Sequence, residues 1–426
     1  MQGVNGAAED GSGKQDLAIW QRDEAFPPAG EGFGWMDRKG GRHSCASLED
    51  LSKTIREDLK SVVDLVWTPE SEFCRVPEEI EAFTEPIQEV RKRWAVDDLA
   101  DAQNRLKWFG IGVAVLLGYM AFQGWAQLGA VERANGMSLD VGQRVLWISK
   151  LLAQSTTVGM SLLGFLIFAF IPWYQAQKRM REIRRRGGQA VPVIPLIRFE
   201  TWLGLQKAPV TWVLFGLIVV VALVQMFLDK SIVVFHGSVQ HAGLVKPAYF
   251  GGEWWRLFTA PMLHGGIVHL AMNMLALLYL GKRVEVFARW PHVAMVFLFS
   301  ALVGGEASAR FMDAPSVGAS GGLMGWLGFL LVFETLHSKL VPKSAGRRLM
   351  GGVVMTGLIG LVGYRFIDNA AHFGGLLAGI AYAVIVFPKS GSVMRPRMNA
   401  TDRVAGAASL AVIALSGAYA IMKMAA

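Results

Sequence analysis

The chain has 426 residues, of which 53% are hydrophobic and 18% are charged, and its formal net charge is +8. Soluble domains carry about a quarter charged residues, so this composition predicts a membrane-embedded chain and argues against a soluble globular enzyme. A basic soluble protein would suggest a nucleic-acid partner, but here the basic residues collect between apolar runs. We therefore attribute the charge to membrane topology and expect no nucleic-acid partner.

Residues 1–106 are predicted to form a cytosolic N-terminal region that is partly disordered and contains short helices. The first 46 residues are rich in glycine and polar residues, which favours disorder. A weak capping box formed by Ser47 and Asp50 precedes apolar residues at helical spacing. A second helical pattern begins after Pro77 and continues, with a break expected at Pro86, toward residue 106.

Long apolar runs fill the rest of the chain. A spanning helix needs roughly 20 mostly apolar residues. Two spans and a basic cytosolic loop are predicted within residues 107–208, and seven more within 209–426. The sixth is short and rich in glycine, and the nine predicted spans are 108–129, 153–173, 210–229, 267–281, 292–310, 319–336, 349–365, 371–387 and 404–423.

The loops between these spans differ in charge. Lys and Arg concentrate after the second, fourth, sixth and eighth spans, whereas 311–317 and 366–370 contain neither residue. The positive-inside rule then places the N-terminus in the cytosol. The two cysteines, Cys45 and Cys74, are too few for a disulfide framework and fit a reducing compartment. We expect an integral, multi-pass protein of a bacterial plasma (inner) membrane, since no Arg-rich, acid-poor transit segment is present.

A serine opens the sixth span, in Gly318-Ala319-Ser320-Gly321. A serine between small residues at the start of a helix can present its hydroxyl and a free backbone N–H. The alternative interpretation is a glycine-rich motif for helix packing, which is common in membrane proteins.

A histidine opens the eighth span, in Ala371-His372-Phe373-Gly374-Gly375. Ionisable residues within spans are costly and usually functional, although His372 would also fit a solvated interface. Gly375 and Gly379 form a face of small residues that would let this helix press against another. If that neighbour carries Ser320, the histidine could take the serine proton and later protonate a leaving amine.

The fourth span carries His269 and Asn273, which share one helix face. Together they could donate hydrogen bonds to a developing oxyanion, or they could form a polar clasp between helices. His264 lies five residues before His269 and is interpreted as a loop histidine on another face.

The sequence does not contain the residue patterns that other intramembrane chemistries require. The segment from His269 to Asn273 has neither the glutamate nor the second histidine of a His-Glu-x-x-His zinc site. Asp313 and Asp368 fall at predicted loop positions rather than as paired aspartates on apolar helices. We therefore expect no metal and no cofactor.

Over residues 205–425 these motifs, in this order, resemble the rhomboid family of intramembrane serine proteases. The resemblance rests on the four site residues above together with Gly252-Glu253-Trp254-Trp255-Arg256, His264-Gly265-Gly266, and Gly281 with Glu285. One departure is Met324, because family members often carry an aromatic residue four positions after the serine.

The resemblance implies an all-α, polytopic transmembrane helix bundle: a rhomboid-like six-helix core plus one C-terminal helix, with two extra N-terminal spans. It implies that Ser320 is the nucleophile, that His372 is the general base, and that His269, Asn273 and the Ser320 N–H line an oxyanion hole. Expected partners are transmembrane protein substrates and the lipid bilayer. Two alternatives remain, a pseudoprotease on the same fold that binds membrane clients and a transporter or channel.

Overall fold

The computed structural model describes residues 17–58, 61–136, 138–190, 192–231, 234–364 and 367–426. These residues are mostly helical and fall into two compact units. We call the described parts of 29–194 and 355–367 the N-terminal unit, and those of 1–28, 195–354 and 368–426 the core unit. The disorder predicted for residues 1–16 lies outside the described residues.

The N-terminal unit begins with a small antiparallel sheet in the order β2-β1-β3. Its elements are β1 Phe33–Asp37, β2 Arg42–Cys45, helix α1 Leu48–Glu57 and β3 Val63–Trp67. The sequence predicted disorder up to residue 46 and short helices after it, and this sheet was not predicted. Each strand has only four or five residues, which is too short for alternation to stand out from the surrounding polar sequence.

Between residues 84 and 185 the described part of the N-terminal unit contains four further α-helices, one very long and three shorter. Pro86 does not break the first of them, because it occupies the third position, where the helix needs no intrahelical N–H donor. The helix that begins as the predicted second cytosolic helix therefore continues through the first predicted span. The bounds are α2 Thr84–Asn135, α3 Val141–Gln154, α4 Thr156–Phe165 and α5 Ile171–Arg185, with a π-helical turn at Leu166–Phe170 between the last two.

The core unit contains eleven helices among its described residues, three of them short helices in the loop after its first span. Helix α14 extends beyond the core unit at its C-terminal end. The bounds are α6 Ile194–Leu205, α7 Pro209–Asp229, α8 Gly237–Ala242, α9 Lys246–Phe250, α10 Arg256–Thr259, α11 Ile267–Ala288, α12 Trp290–Phe311, α13 Ser320–Leu336, α14 Lys343–Val362, α15 Asn369–Val386 and α16 Ala400–Ala425.

Eight helices among the described residues are long and apolar enough to cross a membrane. Each overlaps one of the nine predicted spans, and the remaining prediction corresponds to α13, an apolar helix of 17 residues. The predicted polytopic helix bundle is confirmed. The sixth span is short, as its glycine-rich sequence suggested.

Glycines bring α12, α13 and α15 into backbone contact. A Cβ atom at Gly375 would overlap the carbonyl oxygen of Gly321, and one at Gly379 would overlap the carbonyl oxygen of Gly325. A Cβ at Gly304 of α12 would come within 2.6 Å of the Ala371 carbonyl oxygen. The glycine face of α15 therefore packs against another helix, as its small residues suggested, and that neighbour is the helix that begins with Ser320.

A segment from near the N-terminus, residues 17–28, packs within the core unit. Trp20 is buried, and its Nε1 donates to the Leu340 carbonyl 2.9 Å away. The guanidinium of Arg198 on α6 donates to the Trp20 carbonyl at 3.0 Å and to Asp23 at 2.7 Å. The ring of Phe199 meets the Trp20 indole edge-on at 5.7 Å. This segment is ordered because α6 supplies it with an apolar face and a buried cation.

Candidate active site

Ser320 is the first residue of α13 and lies half-buried. The turn that delivers it depends on Gly318, whose φ of +125° is open to glycine but strained for other residues. The Gly318 N–H donates to the Ala260 carbonyl at 2.9 Å, which fixes the turn to the preceding loop. A pocket lined by Pro261, Gly318, Ser320 and Ala371 opens at this point.

His269 and Asn273 approach the same turn from α11. A Cβ at Gly318 would lie 2.7 Å from His269 Cε1 and 3.6 Å from Asn273 Nδ2. Both side chains therefore reach the backbone two residues before Ser320. The Asn273 Nδ2 is buried and has no hydrogen-bond partner among the described residues, so it is an N–H donor that the fold leaves free.

The tautomer of His269 follows from its own hydrogen bond. The Gly265 N–H donates to His269 Nδ1 at 3.4 Å. A neutral imidazole that accepts at Nδ1 carries its hydrogen on Nε2. Nε2 is the nitrogen that lies 2.9 Å from a Cβ built at Gly318, so the donor of this ring points at the Ser320 turn.

His372 is the fourth residue of α15 and is half-buried. Within the described chain its Nδ1 is buried and lacks a hydrogen-bond partner. The helix that carries it is held against α13 at Gly321, the residue after Ser320, where a Cβ would meet the Ala371 carbonyl oxygen at 3.7 Å. The fold therefore brings the first turns of the two helices together.

The ring of His264 lies closer to the candidate site than its position in the sequence suggested. It lies in a loop, as expected, but it is fully buried and its ring centroid is 5.1 Å from that of His269. The five-residue offset was counted along a helix, whereas α11 begins only at Ile267. The chain bends at the two glycines after His264 and returns its ring to the same site.

The loop before the site is braced by Arg256. This buried guanidinium donates to the Gly243 carbonyl at 2.7 Å and to the Gln240 carbonyl at 3.1 Å, and it pairs with Glu253. The Trp-Arg motif therefore acts as a carbonyl clamp that holds α8 and α10 together.

The fold places the hydroxyl of Ser320 at the start of a helix that packs against the first turn carrying His372, and it places the side chains of His269 and Asn273 at the turn before Ser320. Within the described ranges, no three His, Cys, Asp or Glu side chains converge to hold a metal ion. In general, acyl transfer by a hydroxyl uses a neighbouring imidazole as base and N–H donors at the developing oxyanion.

Part of this chain is similar to proteins of a known family. The rhomboid family model, described as a rhomboid domain, matches residues 251–389. The protein "Rhomboid protease GluP" of Bacillus subtilis (strain 168) is 35% identical over 159 residues, which cover 36% of this chain and 30% of GluP.

Two proteins of Arabidopsis thaliana are similar to the same extent. "RHOMBOID-like protein 6, mitochondrial" is 37% identical over 152 residues, covering 34% of this chain and 48% of the relative. "RHOMBOID-like protein 4" is 37% identical over 154 residues, covering 34% and 38% respectively. The chain thus spans less than half the length of each of these three relatives, and the similarity is confined to about a third of it. Residues 251–389 of this chain are thus similar to a rhomboid domain.

Proposed function

We propose that the chain is an intramembrane serine endopeptidase that hydrolyses peptide bonds in or near the transmembrane segments of other membrane proteins. Ser320 is the nucleophile and His372 is the general base. His269, Asn273 and the Ser320 N–H stabilise the oxyanion of the tetrahedral intermediate. GluP, the similar protein from Bacillus subtilis, bears the name of a protease, which favours this class of reaction.

The observation that carries the proposal is the glycine contact between α13 and α15. It fixes the helix that begins with Ser320 against the helix that has His372 in its first turn. The imidazole takes the serine proton as the hydroxyl oxygen attacks the scissile carbonyl, and it returns that proton to the leaving amine. Water enters through the pocket at Ser320 and hydrolyses the acyl-enzyme. Irregular backbone such as the loop before α13 is tolerated at membrane depth where it lines a water-filled cavity.

The test is cleavage of a labelled transmembrane substrate by the purified protein in detergent. Ser320→Ala and His372→Ala each remove one member of a coupled pair, so each should abolish most of the rate and the double variant should lose no more than either. Matched controls are Ser409→Ala, whose hydroxyl donates to the Ala405 carbonyl within α16, and exposed His241→Ala. Equal cleavage by wild type and Ser320→Ala would overturn the mechanism.

The donor assignment has a separate test. Removing one oxyanion donor from a serine hydrolase lowers kcat by about 10²–10³-fold. Asn273→Ala and His269→Ala should lower kcat to this extent while a fluorophosphonate probe still labels Ser320. A change in KM alone would assign both residues to a helix clasp instead.

A client-binding pseudoprotease on the same fold is the second candidate, because membership of this family alone does not establish cleavage. It predicts that wild type cuts no substrate and that Ser320 is not labelled by the fluorophosphonate. If membrane clients then co-purify equally with wild type and with Ser320→Ala, that result would favour the client-binding pseudoprotease.

We also propose that the N-terminus faces the cytosol of a bacterium, on the charge pattern of the loops. Cys45 is half-buried and Cys74 is buried, so Cys45 is the cysteine that a reagent can reach. Burial and the charge of Asp50 raise the pKa of the Cys45 thiol, which calls for labelling under alkaline conditions. In cells, a membrane-impermeant maleimide added outside should label the variant Asp313→Cys at that exposed position and should not label Cys45. Labelling of Cys45 but not of position 313 would overturn the proposed orientation.

A further inference from the structure

A single carboxylate joins three elements beside the candidate site. Asp368 precedes α15, and its Oδ1 accepts the Ala371 N–H at 2.9 Å, which caps the helix. Its Oδ2 accepts two hydroxyl hydrogen bonds at 2.5 Å each, from Ser308 of α12 and from Ser316 of the Ser320 loop. A helix cap requires only the first of these contacts. The second oxygen is therefore occupied by interactions that capping does not explain.

The partners of Asp368 are themselves fixed. The backbone of Ser316 exchanges two hydrogen bonds with Leu244, at 2.9 and 3.1 Å. Ser308 is fully buried and also accepts from the ammonium of Lys246 at 3.0 Å. That ammonium donates in addition to the Ala314 carbonyl. The result is a directed chain from Lys246 through Ser308 to Asp368, in which every hydroxyl hydrogen is used.

Charge balance supports a permanent network. Lys246 is only 6% exposed. Burial lowers the pKa of the Lys246 ammonium, while the negative charge of Asp368 opposes that shift. A buried cation needs a nearby anion, and Asp368 meets that need through the shared Ser308 hydroxyl.

Both halves of the proposed dyad lie four residues along the chain from this network, His372 through one helical turn and Ser320 through the loop that follows Ser316. The His372 N–H donates to the Asp368 carbonyl at 3.1 Å, and Ser316 lies four residues before Ser320. His372 Nδ1 has no hydrogen-bond partner among the described residues, so no hydrogen bond at that nitrogen orients the imidazole. The position of the ring then depends on where the first turn of α15 is held.

We propose that Asp368, with Ser308 and Ser316, is a positioning cluster that sets the separation of the Ser320 and His372 backbones. This proposal rests on the proposed proteolytic function. Asp368 touches no reacting atom and acts through the helix turn and the loop that it ties together. A misplacement of about 1 Å between catalytic groups can lower a rate by roughly 10²-fold, so the cluster is expected to affect kcat rather than substrate binding.

The sharpest variant is Asp368→Ser, because serine caps a helix about as well as aspartate but is too short to reach Ser308 and Ser316. Ser316→Ala removes one contact and leaves the cap, and Ser316→Thr restores the hydroxyl. Asn399→Ser makes the same kind of exchange at the N-cap of α16, where the Asn399 side-chain oxygen accepts the Asp402 N–H.

With a labelled transmembrane substrate, Asp368→Ser and Ser316→Ala should lower kcat by about 10–100-fold with KM within about twofold of wild type. Ser316→Thr should recover most of the rate, and Asn399→Ser should match wild type. The double variant Asp368→Ser/Ser316→Ala should be no slower than the worse single variant, because both break one cluster.

Two results would overturn the positioning role: unchanged kcat in Asp368→Ser, or a loss of rate that only follows a lowered melting temperature. Hydrogen exchange of the 368–376 amides gives a readout that does not depend on activity. Faster exchange in Asp368→Ser than in Asn399→Ser supports the tie itself, and equal exchange refutes it. If wild type neither cuts nor labels, the proposed function fails and the catalytic role of the cluster fails with it, whereas the exchange result still decides the tie.

Discussion

Glycines in two regions of this protein have opposite surroundings. In α13 and α15, a Cβ at Gly325, Gly375 or Gly379 would overlap backbone or side-chain atoms of the neighbouring helix. In α2, a Cβ at Gly112 or Gly118 would meet nothing within 4 Å. Hydropathy identifies both regions as spans. It does not distinguish a helix packed against protein from one exposed to lipid.

Burial follows the same division. In α12, 56% of the most apolar stretch is buried inside the protein, whereas in the helix that includes α2 only 6% of the corresponding stretch is buried. Large apolar side chains such as Trp108, Val115 and Phe122 are exposed along α2. A bilayer can cover such an apolar surface, so α2 needs no protein partner to shield these side chains from water. What distinguishes the core is complementary spacing, with Gly321-x-x-x-Gly325 opposite Gly375-x-x-x-Gly379.

Buried charge gives the largest expected difference between the two regions. In the core unit, Arg283 is fully buried and pairs with Glu334, 6% exposed, at 3.3 Å and with Glu200 at 2.7 Å. In the N-terminal unit, Arg179 and Asp98 form a pair in which each side chain is 56% exposed.

Arg283→Met should therefore destabilise the fold by about 3–5 kcal/mol, because it leaves a buried carboxylate without its cation. Arg179→Met should cost less than about 1 kcal/mol, because water already screens that pair. The measurement is the free energy of unfolding in mixed micelles. Adding Glu334→Met to Arg283→Met should recover most of the loss, and a larger loss in the double variant would contradict this assignment.

One added methyl group tests the glycine comparison directly. Gly379→Ala places a Cβ against the Gly325 carbonyl, which cannot move without separating α13 from α15. We expect a loss of about 3 kcal/mol, at the upper end of the usual cost of overpacking. Gly118→Ala should be neutral or stabilising by up to about 1 kcal/mol, because alanine lowers the conformational entropy of the unfolded chain. Equal effects on melting temperature in the two variants would refute the contrast.

The sequence predicted the helical spans well because bilayer thickness imposes one length scale on all of them. It also predicted that His269 and Asn273 share a face, since four residues make about one turn. It missed the packing of His264, because the return of a loop depends on backbone angles that spacing does not encode. It missed β1–β3 because short, half-buried strands leave little periodic signal.

The packing of residues 17–28 was equally hidden, since the apolar stretch around Trp20 is too short to predict burial and its partners Arg198 and Leu340 are distant in the sequence. Asp23→Ala removes the carboxylate that pairs with Arg198, whose guanidinium also donates to the Trp20 and Gln21 carbonyls. Because those bonds remain, we expect a global loss of only about 1 kcal/mol.

The local effect of Asp23→Ala should exceed the global one, because this segment is held by few contacts. Limited proteolysis should cut the variant sooner between residues 17 and 28 while α2 resists as in wild type. Glu31→Ala, an exposed acid just outside the segment, is the matched control and should leave the cleavage pattern unchanged. If Asp23→Ala also leaves it unchanged, then burial of Trp20 alone holds the segment, and the Arg198 pair contributes only solvation of the cation.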